Sequence, residues 1–309
     1  MSERSRAAEP SAAPDKVSLP KAKVRPATSA DFAQVLPLLH QLNNTRITDA
    51  VWQRLFSNFW QQDNFQPGYV LDTGERIVGF IATLYSLRAL DPAQPEQLTT
   101  ICNLSSWIVE EEYRSSSLFL LMPILRQKDV TFTSLTSSPE AYAIYNKLGF
   151  ADLDAQARVI YANPLMRGKG YRISTDPAQF VHTLSKSEQR YCRDHQLLDC
   201  TQLLIERGDN GGHDYCYCVG EIKRGKVHLH YVSNPYFFRE HIGDFRTPLL
   251  KALAQKCLQV DERLLAGRAL LLSRKKRFSQ PKQYKSPSVL PAQIDGLYSE
   301  LLMLATPPQ

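Results

Sequence analysis

The sequence predicts a mixed α/β chain, an α+β protein built on mixed sheets, with two similar units in tandem. Three observations carry that prediction. Between Val24 and Tyr161 the apolar pattern runs strand, helix, helix, strand, strand, strand, helix, strand, helix. After Tyr161 comes a second series of helix, strand, strand, strand, helix. The chain has 309 residues, 43% of them hydrophobic, enough for about two cores. The expected organisation is a disordered tail over 1–22, a first domain over 23–165 and a second over 166–309.

The tail, MSERSRAAEPSAAPDKVSLPKA, is Ala, Ser, Pro and charge, which cannot bury enough apolar surface to fold. Glu3, Glu9 and Asp15 spoil the acid-poor pattern of a transit peptide, and there is no apolar signal core. No apolar run approaches the ~20 residues that cross a bilayer. A soluble cytoplasmic protein with no membrane partner is expected. The thiols of Cys102, Cys192, Cys200, Cys216, Cys218 and Cys257 are then expected to be reduced.

Val24 to Ala27 reads as a short strand. Thr28 or Ser29 caps a helix from Asp31 to Asn43, with Phe32, Val35, Leu36, Leu39 and Leu42 on one face. A second amphipathic segment runs from Asp49 to Trp60. Tyr69–Leu71 and Arg76–Leu84 form a hairpin around Asp72-Thr73-Gly74-Glu75. Leu104 to Val109 is a strand that ends in Glu110, Glu111 and Glu112. A short apolar helix covers Leu118 to Arg126, and Val130 to Leu135 alternates as a half-buried strand does. Ser137 or Ser138 starts the next helix, with Pro139 in its first turn, Glu140 set to return the capping bond and Gly149 as its C-cap.

In the second half, Pro177 to His195 reads as a helix and Thr201 to Glu206 as a strand. Asp209-Asn210-Gly211-Gly212 is a turn. Tyr215–Ile222 and Val227–Val232 flank Lys223–Lys226 as a second hairpin. Arg246 to Leu258 reads as a helix, Ser273 to Phe278 as a basic loop, and Ile294 to Leu304 as a closing helix.

From Val24 to Tyr161 the chain resembles the GNAT superfamily of acetyl-CoA-dependent N-acetyltransferases. The element order carries the resemblance, together with Val-x-x-Glu-Tyr-Arg at Val109–Arg114 and Ala-x-x-x-Tyr-x-x-x-Gly-Phe at Ala141–Phe150. It implies a GNAT-like fold and transfer of acetyl from acetyl-CoA to an amine on a small molecule or protein. The second half resembles a diverged GNAT-like unit in element order alone.

The family's pyrophosphate loop is Arg/Gln-x-x-Gly-x-Gly/Ala, which uses backbone N–H groups at a helix start. Arg114 fits its first position, but Ser117 and Phe119 stand where the glycines would be. The resemblance places the CoA contacts on Ile108, Val109, Arg114, Ser115, Ser116, Ser117, Leu118, Phe119, Ser138 and Tyr142. Val109 would mark the parting strands, whose N–H groups stabilise the tetrahedral intermediate. Tyr145 takes the position of the general acid that protonates the departing thiolate, and a phenol of pKa ~10 suits that task. Packing accounts for Tyr145 as well, and capping accounts for Ser138. None of Glu110, Glu111 and Glu112 is assigned as a base.

Two other patterns point elsewhere. Cys216-x-Cys218 and His228-x-His230 sit on paired strands and suggest a metal. A two-residue turn at Arg224-Gly225 would pair Cys218 with Tyr231 and send thiols and imidazoles to opposite faces, so no metal is expected. Residues 151–309 hold 23 Lys and Arg against 16 Asp and Glu, so the whole basic excess of the chain lies there. That hints at an acidic partner, although no nucleic-acid fold surrounds Arg274–Arg277 and nucleic acid is not expected. An alternative to the enzyme stands on the missing glycines: a catalytically inactive GNAT-like protein that binds a ligand or another protein.

Overall fold

A computed structural model describes residues 19–307, apart from 61, 63, 64, 92, 93, 167, 209–213 and 279. Strand β1 (Lys23–Pro26) leads through a 3-10 turn into α1 (Phe32–His40). Asp31 fixes that corner, accepting from the Thr28 N–H at 2.8 Å and from the Arg25 guanidinium at 2.7 Å. Next come α2 (Asp49–Gln53), β2 (Gly68–Asp72), β3 (Ile77–Ala89) and β4 (Leu98–Val109). A 3-10 segment, Glu111–Ser116, runs into α3 (Ser117–Leu125). Strand β5 (Val130–Ser134), α4 (Pro139–Lys147), β6 (Ala151–Leu153) and β7 (Gln156–Tyr161) follow.

The second half comprises β8 (Tyr171–Ser174), α5 (Pro177–Phe180), α6 (Lys186–Asp194), β9 (Thr201–Arg207), β10 (Asp214–Lys223) and β11 (Lys226–Val232). It continues with α7 (Pro235–Ala252), β12 (Cys257–Asp261), β13 (Ser273–Arg277), β14 (Lys282–Lys285) and α8 (Glu300–Met303).

These strands form two seven-stranded sheets, β1-β2-β3-β4-β5-β14-β6 and β8-β9-β10-β11-β12-β7-β13. Each has a single parallel pair among the described strands, β4 with β5 and β11 with β12, joined by α3 and α7 respectively. The two sheets fit two tandem GNAT-like units. They also exchange strands. The sixth place of the second sheet is filled by β7 from the first half, and the sixth place of the first by β14 from the far end of the chain.

Three apolar layers hold this arrangement. Leu104, Leu120, Ile124, Phe132 and Tyr145 pack one face of the first sheet beneath α3 and α4. Phe238, Ile242, Phe245 and Leu249 of α7 cover the second sheet. The third layer is shared: Val35, Trp52, Phe56 and Phe80 meet Phe180, Tyr191, Tyr217 and Leu302. Beside it, buried Arg88 makes two bonds to Asp295, at 2.8 and 3.0 Å, with Tyr191, Tyr231 and Tyr298 around its guanidinium. No described helix is long and apolar enough to cross a membrane.

Several expectations change. The segment from Asp49 stops being helical at Phe56, where the Ser57 hydroxyl donates back to Gln53 O at 3.0 Å. The strand expected from Leu104 starts at Leu98. The helix expected over 177–195 breaks at Thr183 and restarts at Lys186, because Ser185 and Glu188 form a capping box. The helix expected over 246–258 is α7, which starts earlier because Asn234 accepts the Phe237 N–H at 3.0 Å and Pro235 opens the first turn. Ala254 then takes a left-handed φ of 52°, and Cys257 begins a strand.

The basic loop is strand β13, whose Lys and Arg side chains blunt an exposed sheet edge. The closing helix shrinks to one turn, since Asp295 captures the Leu297 N–H at 2.9 Å and Tyr298 has a φ of 56°. Residues 1–18 of the tail and the turn at 209–212 lie outside the described residues.

Candidate active site

Parallel strands β4 and β5 pair only over Thr100–Asn103 and Val130–Thr133. Past that vertex β4 stays on β3 while β5 ends, so a wedge opens between them. The strands therefore part after Asn103, well before Val109. Immediately beyond the vertex β4 carries a β-bulge: Ala82 pairs with Ser105, Phe80 with Ile108, and Ser106 adopts a φ of 49°. A bulge re-aims backbone and side chains locally. The wedge belongs to a cavity of about 1220 Å³ lined by Leu104, Ser105, Ser106 and Trp107 on one wall and 134–138 with Tyr145 on the other.

Tyr145 lies in the wall, 2% exposed, with its ring 5.7 Å from Trp107 and 4.8 Å from Phe150. Burial pushes its phenol well above the usual range, the Glu300 charge adds to this, and a hydrogen bond with Ser134 opposes both. Ser138 caps α4, its hydroxyl accepting from the Ala141 N–H at 3.2 Å, and it lines the cavity too. Gly149 has the left-handed φ of 81° that a C-cap requires.

The other sequence-selected residues lie off the cavity. Tyr142 donates to Asp152 at 2.9 Å. Ile108 and Val109 are half-buried at the end of β4, each packed against a different core layer. Arg114, Ser115 and Ser116 belong to the 3-10 segment, and the Ser117 N–H donates to Arg114 O. That segment spends N–H groups internally. Leu118 and Phe119 project outward, Phe119 with 60% of its surface exposed. Glu110 pairs with Arg76, while Glu111 and Glu112 are exposed.

The decisive addition comes from the end of the chain. Glu300 of α8 reaches the vertex of the wedge and is 5% exposed. Its backbone N–H donates to Asn103 Oδ1 at 3.1 Å, and its Oε1 accepts from Thr136 at 2.7 Å. Its Oε2 is buried without a hydrogen bond among the described residues. Burial raises the pKa of this carboxyl, with Thr136 among the groups that oppose the rise. Nothing local in the sequence ties residue 300 to residue 103; the exchange of β14 brings them together.

The second unit has a wedge of its own. β11 and β12 pair over Lys226–His228 and Cys257–Gln259 and then part. The β10–β11 register shifts just beyond, with Gly220 opposite Leu229 and Val219 opposite Tyr231, so that His230 is the extra residue. That shift pairs Cys218 with Val232 rather than Tyr231. The thiols of Cys216 and Cys218, 3.7 Å apart, lie in the α7 core, whereas His228 and His230 line the cavity. No group of three or more His, Cys, Asp or Glu among the described residues is placed to hold a metal ion. Burial lowers the pKa of His228 to about 4.

No protein-family model matches the chain, and no curated protein does. Among solved structures, the chain is similar to a GCN5-related N-acetyltransferase from Kribbella flavida, with a TM-score of 0.52 and 10% identity over 86% of this chain and 72% of that one. It is also similar to a conserved protein of unknown function from Enterococcus faecalis V583, "Probable N-Acyltransferase", with a TM-score of 0.56, 13% identity and the same coverage. The chain shares the fold of these two structures.

Proposed function

We propose that the protein is an acyl-CoA-dependent N-acyltransferase that moves acetyl from acetyl-CoA to an amine in the first wedge. The observation that carries this reading is the wedge itself: strands that part just before a bulge, with Tyr145 and Glu300 on its walls. Ile108 and Val109 flank the path of the pantetheine arm, with Ser138 and Tyr142 along α4. Because the 3-10 segment uses N–H groups internally, the pyrophosphate relies on the Arg114 guanidinium and the hydroxyls of Ser115, Ser116 and Ser117. Leu118 and Phe119 turn outward and leave that approach open.

In the reaction the amine nitrogen attacks the thioester carbon, the C–S bond breaks, and the thiolate takes the phenolic proton of Tyr145. The proton lost by the amine passes to Glu300, where burial makes the carboxylate a stronger base than an exposed one. The N–H groups around the bulge at Ser106 face the developing oxyanion.

Calorimetry with acetyl-CoA tests the reading first, and no binding at millimolar ligand would sink it. Tyr145→Phe should then lower thiol release about a hundredfold while leaving acetyl-CoA affinity unchanged. Unchanged turnover removes Tyr145 from the mechanism. The second reading, a GNAT-fold binding protein without catalysis, is favoured by the 3-10 segment where the family places glycines. It predicts that no amine promotes thiol release.

A further inference from the structure

The cavity spans both wedges, and its charge is uneven. Ten Lys and Arg line it against four Asp and Glu. Three of those acids are already paired with cations: Asp295 with Arg88, Asp261 with Arg263, and Glu221 with Lys223. Glu300, at the vertex of the first wedge, has no cationic partner within salt-bridge distance among the described residues. On the second unit's side the imbalance is reversed. Arg224, Lys226, Lys276 and Arg277 line the cavity, and none makes a side-chain ion pair or hydrogen bond among the described residues.

Beneath these cations the floor is polar and unsatisfied. Gln259, 7% exposed, leaves its Oε1 without a hydrogen bond among the described residues, and His230 Nε2 lies 3.6 Å from Glu221 Oε1. Gln259 and His230 stand on the two strands of the second wedge, one on β12 and one at the bulge of β11. The cavity thus carries a lone carboxyl at one end and unpaired cations, with a vacant hydrogen-bonding atom on Gln259, at the other.

We propose that the acceptor is an amine that also carries an acidic group, carboxylate or phosphate. Its amine lies toward Glu300 in the first wedge, and its acidic end lies at the second unit's end of the cavity, among the cations that line it there, Lys226, Lys276 and Arg277. This rests on the acyl-transfer reading of the first wedge. The second wedge is not a second CoA site, because the start of α7 is closed to a pyrophosphate. Asn234 already takes the Phe237 N–H at 3.0 Å, and Pro235 brings no N–H. What remains there for an anion is side-chain charge, which suits a compact carboxylate or phosphate.

Two matched pairs of probes test the proposal on the full chain: 4-aminobutyrate against 4-aminobutanamide, and O-phosphoethanolamine against ethanolamine. Calorimetry should show the acidic member of at least one pair binding about tenfold more tightly than its neutral twin. Which pair shows the larger ratio separates carboxylate from phosphate. The triple variant K226Q/K276Q/R277Q should erase that ratio, and K226R/K276R should retain it. All three positions lie on the cavity rim, so an unchanged unfolding midpoint confirms that the variant is folded. Binding needs no turnover, so failure of the acyl-transfer reading would show separately, as anion binding without thiol release from acetyl-CoA. Equal affinity for acidic and neutral probes, or a ratio that survives the triple substitution, overturns the proposal.

Discussion

The two wedges have the same construction and different contents. Each opens where a parallel pair ends, at Asn103 and at His228, and each has an extra residue on its longer strand a few positions on. In the first wedge the extra residue comes from Ser106–Trp107 and the walls carry hydroxyls, Tyr145 and one carboxyl. In the second it is His230, and the walls carry imidazoles and cations. Backbone topology alone therefore sets where a cleft forms in this fold. The side chains at a handful of strand ends decide what each cleft presents, hydroxyls and a carboxyl in one and imidazoles and cations in the other.

The sharpest way to break the comparison is to separate the units. A chain ending at residue 278 keeps both wedges' parallel strands but lacks β14 and α8. The first sheet then loses the strand between β5 and β6. The whole net stability of a domain, about 5–15 kcal/mol, should be lost. Circular dichroism through a denaturant titration should show no cooperative transition; a transition like that of the full chain would mean that the units fold independently of the exchange.

A smaller effect is expected at the pin between units. Asp295→Ala strips the buried Arg88 of its carboxylate. Leaving a buried charge without its partner costs about 3–5 kcal/mol, somewhat less here because Asp295 is partly exposed. A shift in urea midpoint with unchanged slope would show that both units still unfold together; two separate transitions would show that Arg88 and Asp295 couple them.

Acid should act more gently and on one side. Burial holds the pKa values of His195 and His228 at about 4, below the ordinary value of 6.5. Between those values the unfolded chain binds the extra protons, so stability is full above pH 6.5 and declines as pH falls toward 4. Each histidine contributes about 3 kcal/mol at most to that decline. His228→Gln should flatten the profile, and an unchanged slope between those limits would contradict the assigned burial.

Much of the frame was legible in the sequence because its signals are local. Ser138 with Pro139 and Gly149 fixed α4, and the hairpin at Lys223–Lys226 has its expected pairing from the turn as far as Leu229. The Gly-Phe ending of its helix singles out Tyr145, which lines the cavity. What escaped the sequence depends on contacts made across the chain. Lys282–Lys285 has no apolar alternation, yet it is a central strand in which Gln283 is fully buried. Glu300 reads as an ordinary acid in a first helical turn until Asn103 and Thr136 are placed beside it. Ser273–Arg277 has the composition of a solvated loop and becomes a strand only because β7 offers it an edge.

The exchange of β7 and β14 also governs how the molecule comes off the ribosome. Synthesis delivers β5 and β6 before the strands of the second sheet and β14 after them, so the first sheet waits with a vacant place while those strands are translated. During that interval the facing edges of β5 and β6 offer unpaired backbone groups to any neighbouring chain. The first sheet of a nascent polypeptide of this design closes only once the second unit has been made, and the closing strand is followed shortly by the Glu300 carboxyl. A product terminated before β14 therefore carries neither the complete first sheet nor the Glu300 carboxyl at the cavity wall.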